Sequence, residues 1–349
     1  MGSYQLNVDG VESRQSLWRE QSFRLDKKLS RLLNLQMNKF RFASLLLFVV
    51  VAPLHSADHF DQSKVPLEID APNKAMRKVI LLAGKPSSKT MAHEYFAGCA
   101  LLMNWLKEQP GVWPVMAREW PKNEKVLDGA KVIVYFGDGG GKQPFVDPKN
   151  WGKLTNLLKE GAGFVLLHQA IDFPKGQDAD VIKASLGGVF HSDIGCRGHW
   201  DMNLKPTGNH PVLRGVSAFS APGDGWLYNV HFAPDAVPLL TGTVPDNSRS
   251  SADAKKHIGR EEVIAWAYQR PNGGRGFAFT GADLHKSWGY ESQRRLVING
   301  ILWCAKIEIP EGGAKSTFND ADIKVNLDKK PDPASAKKPA TIKSTPKSK

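Results

Sequence analysis

Lys78-Val79-Ile80-Leu81-Leu82-Ala83 and Gly163-Phe164-Val165-Leu166-Leu167-His168 decide how this chain is read. Each is a short, almost unbroken apolar run bounded by a charged residue or glycine, as a strand covered on both faces requires. Lys131-Val132-Ile133-Val134-Tyr135-Phe136 repeats the pattern, and Val112 to Ala117 adds another run. Helical periodicity fills the gaps. From His93 to Glu108, the residues Phe96, Ala100, Met103 and Leu106 fall on one face, and Gln109-Pro110-Gly111 stops the helix; a second helix is predicted from Pro148 to Glu160. This alternation predicts an α/β fold with a doubly wound, mostly parallel, flavodoxin-like sheet.

Working outward, the pattern loosens from Gln169 to Val263 into loops, short strands and turns marked by Gly, Pro and Asn, so a loop-rich insertion is expected there. Glu262 to Tyr268, the turn Asn272-Gly273-Gly274 and Arg275 to Thr280 predict a C-terminal β-hairpin, and Tyr290 to Cys304 a closing helix with an apolar face. The domain so delimited is 78–310, preceded by a linker over 57–77.

With 349 residues, 41% hydrophobic and 23% charged, the composition is globular. The net charge of +12 divides into +4 for 1–56, +4 for 57–310 and +4 for 311–349. So small an excess on the domain gives no phosphate-tracking surface, and no nucleic-acid partner is expected. Residues 311–349 are rich in Lys, Pro, Ala and Ser and are expected to form a disordered tail. Met37 to Ser56 has a basic start, a short apolar run and a small-residue exit, the layout of a secretory signal. The run is too short for a convincing membrane span. The mature protein is therefore expected to start near Ala57, in the periplasm or outside the cell, with no stable membrane span. Residues 1–36 read as an extension upstream of a true start at Met37. Three cysteines without CxxC spacing exclude a disulfide scaffold. Cys99 and Cys304, on the first and last helices, are expected to be free buried thiols rather than a bridge.

Ligands of open α/β sheets bind beyond the carboxyl ends of the strands. The loops beginning at Gly84-Lys85, Gly137-Asp138 and His168-Gln169 lie there, making Gly84, Lys85, Asp138 and Gln169 candidate substrate contacts. His168 ends an apolar run at the rim, where an imidazole serves as acid, base or ligand. His93, His168 and His191 are candidate ligands for a divalent metal. Trp226, Tyr228 and Trp288 sit among polar and Gly-rich neighbours and suit the flat faces of sugar rings.

His93-Glu94, His168-Gln169-Ala170, Leu186 to His191, Asn209 to Gly215, Asp224 to Tyr228, and Gly274 to Gly281 followed by Arg294 to Trp303 together resemble the trehalose-utilisation (ThuA-like) family. The resemblance runs from about Lys78 to Ile307. It implies a fold similar to class I glutamine amidotransferases, with His168 at the elbow where those enzymes carry a nucleophilic Cys. None of the three cysteines takes its place, so glutamine hydrolysis is not expected. The resemblance also implies sugar metabolism linked to trehalose and keto-disaccharides. It leads one to expect an Asp-Glu pair where this chain has Asp224-Gly225.

The expected function is an exported protein of carbohydrate catabolism, acting on a small glycoside or keto-disaccharide. His168 would be central, with Glu94 or Asp224 as the complementary acid. A non-catalytic sugar-binding module, using Trp226, Tyr228 and Trp288, is the alternative.

Overall fold

Val79 to Ala83 are all buried because strand β1 (Arg77–Ala83) has apolar layers on both faces. The computed structural model describes residues 58–330; the extension 1–36, the signal segment 37–56 and tail residues 331–349 lie outside them. After β1 come helix α1 (Tyr95–Lys107), β2 (Val112–Arg118), β3 (Val132–Phe136), α2 (Pro148–Lys159) and β4 (Gly163–Leu167). Next follow α3 (Gln177–Leu186), β5 (Gly188–Val189), β6 (Cys196–Pro206), β7 (Phe219–Tyr228), β8 (His231–Phe232) and β9 (Val237–Thr243). The hairpin β10 (Glu261–Gln269) and β11 (Arg275–Phe279) and helix α4 (Glu291–Cys304) complete the order.

Nine strands form one sheet in the order β2-β1-β3-β4-β11-β10-β9-β6-β7. The pairs from β2 to β11 are parallel, and those from β11 to β7 are antiparallel. Side chains alternate between two layers. Val79 and Leu81 pack beneath α1 and α4, whereas Ile80 and Leu82 face α2 and α3.

Three expectations need correction. Residues 169–263, expected as loops, short strands and turns, also hold α3 and the long strands β6, β7 and β9, which extend the same sheet. β6 is half exposed, alternates Met202 and Leu204 with Asn203 and Lys205, and carries a register shift between Trp200 and Met202. Residues 58–77 are more than a linker. The Glu68 carboxylate accepts from the Lys122 and Asn123 amides, Asp70 pairs with Lys78, and Gln62 donates to the Asn326 and Leu327 carbonyls. Finally, 311–330 is no solvated tail. The Trp105 indole donates to the Thr317 carbonyl and Gln109 to that of Lys315, while Ala314, Leu327 and Asp328 are buried. Its few apolar residues suffice because backbone hydrogen bonds with α1 and its flanks complement them.

All three cysteines are free and buried. Cys99 lies in the second turn of α1 and Cys304 ends α4, so the two sit at different heights on helices that descend the same sheet face. Among the described residues no helix is long and apolar enough to cross a membrane.

Candidate active site at the carboxyl rim

β4 ends at Leu167, and the chain enters a single 3-10 turn, His168–Ile171, with His168 at φ 58°. A side chain makes this left-handed conformation costly. Ser88 (61°), Met91 (66°), His93 (52°) and Ala282 (71°) share it, so strain gathers in the loops around His168. Two links tie these loops together: the His93 amide donates to the Asp283 carbonyl and the His285 amide to that of Met91, each at 2.9 Å.

His168 is 2% exposed, and its Nδ1 lies 3.0 Å from the Thr280 carbonyl. A carbonyl only accepts, so Nδ1 carries the proton and a neutral His168 keeps a lone pair on Nε2. That Nε2 stands 3.3 Å from His93 Nε2 and 3.5 Å from Asp283 Oδ1. His93 Nε2 is 2.8 Å from the same oxygen. Behind the His93 ring, Nδ1 meets Ser87 Oγ at 2.8 Å and Asp138 Oδ1 at 3.3 Å. Asp138 Oδ1 also accepts from the Ser87 and Tyr95 hydroxyls, and Oδ2 from Lys142. Asp283 Oδ2 accepts from His199 Nε2 at 2.7 Å; the His199 side chain is 66% exposed and brings the cluster to solvent.

Burial pushes the Asp283 carboxyl up, but hydrogen bonds and charge from His168 and His93 outweigh it and hold the group well below the usual carboxylate range. Asp138 is likewise raised by burial and held low on balance by His93, Tyr95, Ser87 and Lys142. Burial alone would lower His93, yet Asp138 and Asp283 raise it. Asp224 goes the other way. Burial raises it, opposed by the Leu284 and Gly225 amides that donate to Oδ1 and by the nearby His168. Its Oδ2 has no partner among the described residues.

The candidates read from sequence are thus only partly gathered. His93, Asp138 and His168 are joined in one cluster, with Asp224 near His168. Gly84 lies where the loops after β1 and β3 touch: a Cβ there would stand 2.6 Å from Gly137 Cα. Gln169 is half buried, its carbonyl against Gly139. Lys85 projects away, 76% exposed and paired with Glu119 at 3.3 Å.

Several assignments are corrected. His191 does not join the histidine pair; its Nδ1 meets the Phe173 carbonyl and its ring lies against His231. Glu94 is no rim acid, because its buried carboxylate accepts from the Met91 and Asp328 amides and faces Lys330. Trp226, Tyr228 and Trp288 offer no face to a sugar. They are buried in the core, Trp226 against Phe279, Tyr228 bonded to Ser248, and Trp288 between Trp105 and Phe136.

Asp283 and His199 escaped the sequence reading. The signal for Asp283 was present, since Gly281-Ala282-Asp283 directly follows the predicted strand Arg275 to Thr280 and so had to lie on the rim. Gly225 makes room for it: a Cβ there would stand 2.6 Å from Asp283 Oδ2, so a larger residue would displace this carboxylate.

A family model described as ThuA, trehalose utilisation, matches residues 83–304. The chain belongs to the ThuA family. That family implies a role in trehalose utilisation. Among solved structures, a putative ThuA-like protein from Parabacteroides merdae is 14% identical, with 72% of this chain and 99% of that one covered at a TM-score of 0.50. A putative ThuA-like protein from Bacteroides uniformis is 17% identical over 67% and 94% of the two chains, with a TM-score of 0.45. A glutamine amidotransferase from Thermotoga maritima is 12% identical over 66% and 96%, with a TM-score of 0.35. At such identities the first likeness concerns the fold alone, and the other two carry no further weight. No curated protein matches the chain.

In this ThuA-family chain the matched segment opens on the last residue of β1 and closes on the last of α4, so it contains the whole histidine and carboxylate cluster. The Glu94 partners Asp328 and Lys330 lie beyond it. For metal binding, His93, His168 and Asp283 offer donor atoms within 4.8 Å of one another.

Proposed function

We propose that this ThuA-family protein is an exported enzyme acting on a small trehalose-related glycoside or keto-disaccharide by general acid-base chemistry centred on His168. The observation that carries the reading is the setting of two buried carboxyls around His168: Asp283 meets histidines on both oxygens, whereas Asp224 takes two amides on Oδ1 and has no partner on Oδ2 among the described residues. Asp283 is held ionised, while Asp224 is raised by burial. Such divergence is how one site supplies both an acid and a base.

A ring ketone acidifies the neighbouring C–H. The Nε2 lone pair of His168 takes that proton, Asp283 stabilises the imidazolium, and Asp224, whose burial favours the acid form, delivers a proton to the departing or enolising oxygen. Elimination or isomerisation on this plan requires no nucleophile, in keeping with cysteines placed in helices or, for Cys196, against Ser250 and Ser251. The signal-like Met37 to Ser56 supports export. Burial of Trp226, Tyr228 and Trp288 leaves the binding-module alternative without the aromatic platform it relied on.

Turnover of trehalose and 3-keto-disaccharides by the purified protein tests the reading. His168→Asn and Asp224→Asn should each lower kcat by roughly 10²–10⁴ with the fold retained. Undiminished turnover by His168→Asn would overturn the assignment. Sugar binding without turnover in the unaltered protein would favour the binding module.

A further inference from the structure

We infer that His93, His168 and Asp283 form a three-ligand site for a divalent cation of the zinc type. The proton inventory of the two rings carries the argument. His168 Nδ1 must donate, because its neighbour is the Thr280 carbonyl. Ser87 gives its one hydroxyl proton to Asp138 Oδ1, so His93 Nδ1 must donate as well, to Ser87 Oγ and Asp138. In the neutral rings both Nε2 atoms then carry lone pairs. These converge with a carboxylate oxygen at 3.3, 2.8 and 3.5 Å. Three electron pairs aimed at one point repel unless a proton or a cation sits among them, and a proton shared at the 2.8 Å contact between His93 and Asp283 leaves the His168 Nε2 unserved, whereas a cation serves all three.

The spacing fits a metal ion. A tetrahedral site with bonds of 2.0–2.1 Å has ligand-to-ligand edges of about 3.3 Å. Given the three observed distances, a point about 2.05 Å from all three atoms lies about 0.8 Å off their plane, against about 0.7 Å for an ideal tetrahedral face. Each ligand is also braced from behind: His168 by the Thr280 carbonyl, His93 by Asp138 and Ser87, and Asp283 Oδ2 by His199. Carbonyl or carboxylate partners on the far ring nitrogen are the usual support of metal-bound histidine. Three protein donors leave a coordination position open, as in catalytic rather than structural zinc sites. Its ligand would be a hydroxyl or carbonyl oxygen of the substrate, or water.

This inference rests on the site assigned above and refines it. With a cation in place His168 would be a ligand, so this inference replaces His168 as the base while keeping the substrate class and Asp224; the ion would polarise the sugar carbonyl, and proton transfer would fall to groups outside the ligand set, Asp224 among them.

The test is titration of the chelator-treated full chain with Zn²⁺ alone by calorimetry, with Co²⁺ absorption as a second readout. We expect one equivalent of Zn²⁺ per chain and intense visible Co²⁺ bands of low coordination number. Asp283→Ala and His93→Ala should weaken binding on the order of 100-fold or more, and Asp138→Asn by about 10–100-fold. His191→Ala should bind as the unaltered protein does. Failure of the unaltered chain to take up either ion overturns the site, as does loss of binding in His191→Ala with retention in Asp283→Ala. Because neither readout uses a sugar, failure to bind metal leaves the acid-base reading standing. Conversely, metal uptake without turnover of any keto-sugar overturns that reading and leaves the metal site.

Discussion

His210 shows how one side chain couples stability to pH. Its Nδ1 accepts from the Val212 amide at the start of a 3-10 turn, and its ring lies edge-on to Trp303. Burial, aided by the positive charge of Arg275, lowers its pKa below the ordinary histidine value of 6.5. The folded chain therefore binds this proton less readily than the unfolded one. The stabilisation is full above pH 6.5 and is lost as pH falls below it. His210→Asn keeps an acceptor for Val212 but cannot titrate, so its Tm should fall less between pH 7 and 5 than that of the unaltered protein; equal slopes would count against the cap. At this scale the sequence was readable where a polar residue ended an apolar run, as with His168 and Asp138. It was unreadable for Trp226, Tyr228 and Trp288, because glycines beside a tryptophan in the chain do not say what packs on it in space.

The contest between helix propensity and packing is plain in α1. Gly98 lies inside that helix, where replacement by Ala would ordinarily gain about 0.5–1 kcal/mol. Here a Cβ would stand 2.5 Å from Phe136 Cε1 and 3.2 Å from Trp288 Nε1. Overpacking costs typically 1–3 kcal/mol, so Gly98→Ala should destabilise the protein, lowering Tm by roughly 2–10 °C in a thermal melt. A rise in Tm would mean that the Phe136 ring yields. The opening of α1 is held differently, by Glu94 accepting from Met91 on one side and Asp328 on the other. Glu94→Gln turns one acceptor into a donor facing an amide and should cost about 1.5–3 kcal/mol in denaturant melts. Among the elements, the parallel strands were legible because burial on both faces writes a continuous apolar run, and α1, α2 and α4 were legible from their one-sided apolar periodicity. β6, β7 and β9 were not, since half-exposed antiparallel strands interrupted by Gly and Pro look like turns until their partners are known.

Among the described residues the two ends meet, with residues 59–62 bonded to residues 324–328. Truncation after Pro310 should therefore lower Tm and raise protease sensitivity, because it strips cover from Trp105, Gln109 and Glu94; an unchanged melt would show the segment to be dispensable. With Cys99 and Cys304 buried and their thiols pushed up well beyond the usual range by desolvation, a thiol reagent should reach these two only after denaturation, when three groups in all should react. Finding one would signal a bridge.

The strand order has a further meaning for synthesis. β4 neighbours β11, yet His168 and the Thr280 carbonyl that orients it are 112 positions apart along the chain. A nascent chain that has emerged only as far as β4 holds an apolar parallel sheet with an open edge, the kind of surface that recruits other chains. β11 covers that edge and the Thr280 carbonyl just beyond it aligns His168, so a chain ending before Arg275 would keep the edge open and lack Thr280 and Asp283 from the histidine cluster.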